Sequence, residues 1–183
     1  MPRHPRPLPL ALEHDSHAIT TLPEHGVSVE RARRSDISRP YRGVVAHNLD
    51  LSSLRARAVA LTVRRNMPPF AFSHQTGAAL LGLALPASVR HDRLHVTVPH
   101  PHRAPRLEGV SGHAYRLDQT SFSVHSIVLE STGEARFVSV LSEPWLLVTL
   151  ATVLGPDDIV ALADAMRWRA HSEGRELDFS VAL

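Results

Sequence analysis

The chain has no cysteine and no lysine. Without thiols, disulfide staples, thiol nucleophiles and thiolate zinc sites are all excluded. Without a lysine amine, chemistry that depends on one is excluded as well. All 20 basic residues are therefore arginine, a bias that a GC-rich genome produces by itself. No apolar run approaches the roughly 20 residues that a membrane helix needs. The opening, MPRHPRPLPLALEH, has its apolar patch broken by Pro7 and Pro9, and no small-residue cleavage site follows it. A secretory signal is not expected, and the expectation is a soluble cytoplasmic protein with no membrane contact.

What is present suits one globular domain or one domain with an appendage. The 183 residues are 43% apolar, enough for a real core. Charge is unevenly placed. Residues 1–116 hold 16 arginines against 8 acids, a net +8, whereas residues 117–183 hold 4 against 10, a net −6. A basic front half suits an anionic partner such as nucleic acid. A solvated surface whose halves partly neutralise each other is the competing account.

The most informative stretch is residues 70–99. Ser73 reads as the N-cap of a short apolar helix through Ala78–Leu81, Gly82 supplies a left-handed stop, and Leu94, Val96 and Val98 alternate with His95 and Thr97 as a half-buried strand. Before it, residues 1–25 carry five prolines and no sustained periodicity, predicting a flexible N-terminal extension with a short helix near 10–17. Residues 27–35 allow a brief helix capped by Ser28, and RPYRGVVA reads as a turn entering a strand. Residues 50–65 form the clearest amphipathic helix, capped by Asp50 or Ser52. After the central stretch come strands at 110–116, 124–129 and 135–140, the last two joined by a Ser131-Thr132-Gly133 turn. Helices then cover 145–154 and 159–168, with Trp145 and Trp168 as core aromatics, and a frayed tail follows from 171 to 183. The fold class expected is α+β: a small, mainly antiparallel sheet of about four strands with helices packed on it.

Catalytic signatures are missing. Ser73-His74 is adjacent in sequence, and neighbours on a helix do not face each other. GVSGH at 109–113 lacks the spacing of a nucleophile elbow. No glycine-rich phosphate loop and no HExxH occurs. His91, His95, His100, His102 and His113 cluster in sequence, yet no acid sits beside them at a ligand-like spacing. They read as solvated loop histidines, so no metal, cofactor or enzymatic activity is expected; metal-assisted hydrolysis through them is the competing account. One basic cluster remains: Arg31, Arg33, Arg34, Arg39 and Arg42 fall within twelve residues, with Tyr41 among them. Arginine holds phosphate in a two-pronged grip, so this spacing suits contacts to a DNA backbone. A solvated arm is the alternative.

Four segments in order, RPYRGVVA, FSHQTGAALLGLALP, LHVTVPHPHRAPRLEGVSGH and EPWLLVTLA…DDIVALADAMRWR, resemble a large actinobacterial family of AbiEi-type antitoxins. The match spans about residues 37–169, and its most specific parts are SHQTGAALLGL and LHVTVP. The resemblance implies a winged helix followed by an α+β domain, often ahead of a Vsr-like endonuclease domain. RPYRGVVA would then be the wing strand. Two departures shape what carries over. Between His25 and Arg39 there is too little helical sequence for a complete winged helix, so residues 26–48 read as a degenerate remnant ahead of an α+β domain at 49–170. The chain also stops where the nuclease would begin. The resemblance thus implies a non-enzymatic, antitoxin-like regulator, with DNA and a nucleotidyltransferase toxin as partners, the latter countered without stable binding. A truncated remnant serving as a protein-interaction module, or without function, is the alternative. Oligomeric state is open.

Overall fold

The structure is a computed structural model that describes residues 7–179. The parts of the expected extension at 1–6 and of the tail at 180–183 lie outside the described residues. Two compact units divide the chain: residues 1–67 with 127–136, and residues 68–126 with 137–183.

The first unit starts where a flexible extension was expected. A 3-10 turn at Leu10–Leu12 leads into strand β1, Asp15–Ala18. Two further 3-10 segments follow, Ile19–His25 and Arg31–Arg33, before strand β2, Val44–His47. β1 and β2 pair antiparallel with Asp15 opposite His47. Leu12, Leu22, Val27, Ala32, Ile37 and Val45 are buried together, which anchors residues 8–25 and corrects the expectation of mobility. The sequence hid this because 3-10 turns interrupted by prolines leave no 3.6-residue period to detect. Helix α1, Leu54–Thr62, is capped by the Ser53 side chain, which accepts from Ala56 N–H, rather than by Asp50 or Ser52. Its buried face is Ala56, Ala58, Val59, Ala60 and Leu61. The boundary between units thus falls at 67/68, so α1 belongs with the preceding strands and not with the later domain.

The second unit is α+β. Strand β3, Ala71–Phe72, runs directly into helix α2, His74–Leu80. Strands β4 (Leu94–Pro99), β5 (Arg106–Leu107), β6 (Val110–Tyr115), β7 (Phe122–Val128) and β8 (Ala135–Leu141) follow, then helices α3 (Glu143–Leu150) and α4 (Pro156–Ser172). The sheet has six strands in the order β5-β6-β4-β3-β8-β7. β3 is antiparallel to β4 and parallel to β8, while β4 and β6 are parallel. The four strands expected from sequence are all there; β3 and β5, at two residues each, are too short for alternation to reveal. Between β7 and β8 the chain passes through residues 127–136, which belong to the first unit; the turn at 129–134 closes through Gly133 N–H to Leu129 O and Leu129 N–H to Glu134 O, with Gly133 in the left-handed conformation its absent side chain permits.

Phe72, Leu94, Val96, Val98, Val138, Val140, Leu146, Leu150 and Met166 are buried almost completely. Gly77 lets α2 approach closely: a β-carbon there would lie 2.6 Å from Leu146 Cδ2 and 3.0 Å from the Phe72 carbonyl oxygen. The carboxylate of Glu143 is only 7% exposed and accepts from Arg169 at 2.5 Å and from Arg175 at 3.3 Å. Arg175 therefore ties down residues expected to fray. Trp168 is 74% exposed and is not a core aromatic; the apolar face of α4 is Leu162, Met166 and Ala170.

Candidate functional site

Of the five arginines singled out from sequence, the structure separates two braces from three free cations. Arg31 grips Asp36 with both guanidinium nitrogens, at 2.8 and 2.6 Å. Arg39 donates to the Ala32 carbonyl at 2.9 Å. These bonds close the loop around the Arg31–Arg33 turn, so Arg31 and Arg39 brace it. Arg33, Arg34 and Arg42 are exposed, and their side chains make no hydrogen bond or ion pair among the described residues. Tyr41, in their midst, is buried, with its hydroxyl donating to Arg57 O at 3.3 Å; burial pushes its phenol up to about 12. It offers no stacking surface. Ser38 and Ala46 exchange both backbone hydrogen bonds at 2.9 Å, so residues 39–43 form a hairpin loop leading into β2, with Arg42 exposed on it.

The histidines behave differently from the solvated loop groups expected. His74, His95 and His113 converge, each offering a ring nitrogen within 4.8 Å of the others. His91, His100 and His102 do not join them. Register explains the pairing: on the parallel β4–β6 ladder, His95 lies opposite Ser111 and Thr97 opposite His113. His95 and His113 therefore share one face, two residues apart along it. His95 Nδ1 lies 3.1 Å from His113 Nε2, and the His74 ring stacks on His113 with centroids 4.0 Å apart. Tyr115, one further position along that face, lies within 2° of parallel to His113.

The start of α2 is pinned to β4 at His95. The His95 N–H donates to Thr76 Oγ1 at 2.8 Å, and its carbonyl accepts from the Ser73 N–H at 3.0 Å. Ser73 makes no side-chain cap bond. Instead His74 takes a φ of +50°, a left-handed conformation that costs a residue with a β-carbon about 1 kcal/mol. This twist brings the fully buried Ser73 Oγ to 3.0 Å from His74 Nδ1, correcting both the capping role and the expectation that these neighbours point apart. Strain of this kind persists where surrounding contacts fix the side chain, and it gathers at functional sites. On the other side, Gln75 Nε2 lies 2.9 Å from His95 Nε2, while Gln75 Oε1 is buried with no partner. Burial first, then the adjacent His113 and His95 rings, holds His74 at about 3. Burial, with His113 next, lowers His95 to about 4, and burial alone lowers His113. All three rings are neutral at pH 7, with lone pairs to offer.

A signal for this cluster was present in the sequence. His95 with Thr97, and Ser111 with His113 and Tyr115, occupy the strand parity opposite to Leu94, Val96 and Val110. What sequence could not supply was the parallel pairing of β4 with β6 or the left-handed His74.

No protein-family model matches the chain, and no curated protein is similar enough to match it. Among solved structures, its fold is similar to the crystal structure of the RV2827C protein from Mycobacterium tuberculosis, with a TM-score of 0.55 and 19% sequence identity over 88% of this chain and 67% of that one.

Proposed function

We propose that this chain is a non-enzymatic, antitoxin-like regulator whose first unit contacts the DNA backbone through Arg33, Arg34 and Arg42. The observation that carries the reading is the division of labour among the five arginines. Two are spent bracing the loop, and three stand exposed and unpaired on the same compact unit. The order of elements supports it too: a strand, two short helical turns, a hairpin and a returning strand, as in a reduced winged helix. Arg33 and Arg34 sit at the second turn and Arg42 in the hairpin loop. At three residues, Arg31–Arg33 is too short to lie along a major groove and read bases as a recognition helix does. Contacts to phosphate, which position without specifying, are what such a surface provides. In this reading a nucleotidyltransferase toxin is the functional counterpart, countered through expression rather than through a stable complex.

The test is fluorescence anisotropy of a labelled duplex titrated at several salt concentrations. Binding is expected to weaken with salt, and the triple variant Arg33→Ala/Arg34→Ala/Arg42→Ala should flatten the log–log slope by roughly 3, near 0.9 for each phosphate the variant leaves without its arginine. Affinity that ignores salt, or a variant that binds as the parent does, would sink the reading.

One observation favours a second reading, an interaction module. β7 is an edge strand of the sheet, and Val124 on it is 71% exposed. Edge strands with apolar side chains offer a pairing surface to another chain. A chain that ignores DNA but self-associates, and becomes monomeric on Val124→Lys, would favour this reading.

A further inference from the structure

We infer that His74, His95 and His113 form a binding site for one divalent transition-metal ion of the zinc class, with imidazole nitrogens as its three protein ligands. Zinc takes histidine nitrogen at about 2.0–2.1 Å, which in tetrahedral geometry sets neighbouring ligand atoms roughly 3.3 Å apart. His95 Nδ1 and His113 Nε2 already stand at 3.1 Å, and the third ring offers a nitrogen within 4.8 Å of both. The His74 nitrogen completes the set by closing from within 4.8 Å to roughly 3.3 Å.

The supporting bonds settle which nitrogens do the ligating. Metal-bound histidines characteristically use their second ring nitrogen to donate to a neighbouring acceptor, which fixes the tautomer and aims the lone pair. His74 Nδ1 is engaged by Ser73 Oγ, leaving Nε2 as its ligand atom. His95 Nε2 faces the Gln75 amide. With Oε1 of that amide turned toward it, His95 Nε2–H gains an acceptor, and the Gln75 amide nitrogen takes the buried position that Oε1 holds in the other orientation. His95 Nδ1 is then the ligand, and His113 presents Nε2 beside it. In the metal-free chain the two neutral rings carry one hydrogen each, His95 on Nδ1, donated to His113 Nε2, and His113 on Nδ1. On binding, the His95 hydrogen moves from Nδ1 to Nε2 by exchange with solvent, and the ion takes the position between the two rings.

Two further features belong to a site more than to filler. The positive φ of His74 is spent on aiming this ring, and the two backbone bonds at His95 hold α2 and β4 in register around it. His95 and His113 are only half-buried, so the cluster is open to solvent on that side, where a fourth ligand would be supplied. A set of three imidazoles with no carboxylate or thiolate suits zinc, cobalt, nickel or copper, and disfavours magnesium and calcium. This inference stands apart from the DNA reading, since its residues lie in the second unit.

The experiment is a calorimetric titration of zinc into the full-length, untagged, chelator-stripped chain, followed by X-ray absorption at the zinc edge. The expected result is one zinc per chain, bound through three imidazoles. Affinity should fall at least tenfold in His113→Gln and stay unchanged in His100→Ala/His102→Ala. Should His113→Gln fail to fold, the absorption spectrum of the parent chain decides by itself. Overturning results are the absence of stoichiometric zinc, fewer than three imidazoles around it, or binding lost with His100 and His102 instead.

Discussion

Arg31 and Asp36 face each other across five residues with two parallel hydrogen bonds, at 2.8 and 2.6 Å. The arginine side chain is 14% exposed and the carboxylate 33%, so this pair is better shielded than an ordinary surface contact. The guanidinium hydrogen bond holds the Asp36 carboxyl below its usual range. Arg31→Ala is expected to lower stability by about 1 kcal/mol, the upper end for partly exposed pairs. Arg33→Ala and Arg34→Ala, which break nothing, should change it by less than about 0.5 kcal/mol. Urea melts of the three variants check this; equal losses would mean the loop is not braced as described.

Gly77→Ala sets two known magnitudes against each other. In a helix interior, alanine gains up to about 1 kcal/mol over glycine. Here the added methyl meets Leu146 Cδ2 at 2.6 Å, the Phe72 carbonyl at 3.0 Å and Val140 Cγ1 at 3.1 Å. Leu146 can rotate, but the carbonyl is backbone and cannot. Overpacking of this kind costs about 1–3 kcal/mol, so the net expectation is a loss of roughly 1–2 kcal/mol. A variant more stable than the parent in thermal melts would show that α2 has room to move off β3.

How much of this was legible beforehand follows from period and range. The strands Leu94–Pro99, Val110–Tyr115 and Ala135–Leu141 announced themselves by alternation, and Gly82 and Gly133 by the left-handed turns they now occupy. The arginine cluster was visible as composition. Its split into braces and free cations was not, because that depends on where Asp36 and the Ala32 carbonyl lie. Trp168 reads as core because it is an apolar residue within a helical pattern, whereas α4 buries only the stripe through Leu162, Met166 and Ala170. The histidine cluster joins residues 74, 95 and 113 across a parallel ladder. Local sequence carries no information on such pairing.

Glu143 is a buried carboxylate at the first turn of α3, held by Arg169 and Arg175, and Arg169 also donates to Leu81 O at 2.7 Å. Removing one partner of a buried pair leaves the others uncompensated, at a cost of about 3–5 kcal/mol when all are buried. Arg169 and Arg175 are 26% and 45% exposed, so water screens them and the expectation for Glu143→Gln drops to about 2 kcal/mol. The end of α4 should loosen with it. Hydrogen exchange read at Ala170 and Arg175 amides distinguishes this from uniform destabilisation, since only release of the tether speeds those sites first.

Acid should weaken the metal-free chain earlier than carboxylate titration alone would. An unfolded histidine takes up its proton near pH 6.5, whereas folded His74 and His95 are held at about 3 and about 4. His17, His113 and His125 are lowered in the same direction, by burial first. Between those values the unfolded state binds more protons, so stability is fully present above pH 6.5 and is lost as pH falls toward 4. The melting temperature in chelator should therefore decline from pH 7 to pH 5. His74→Asn makes the decline shallower, because asparagine tolerates a φ of +50° without an ionisable ring. A melting temperature that stays level from pH 7 to pH 5 would mean that these imidazoles are as accessible to protons folded as unfolded.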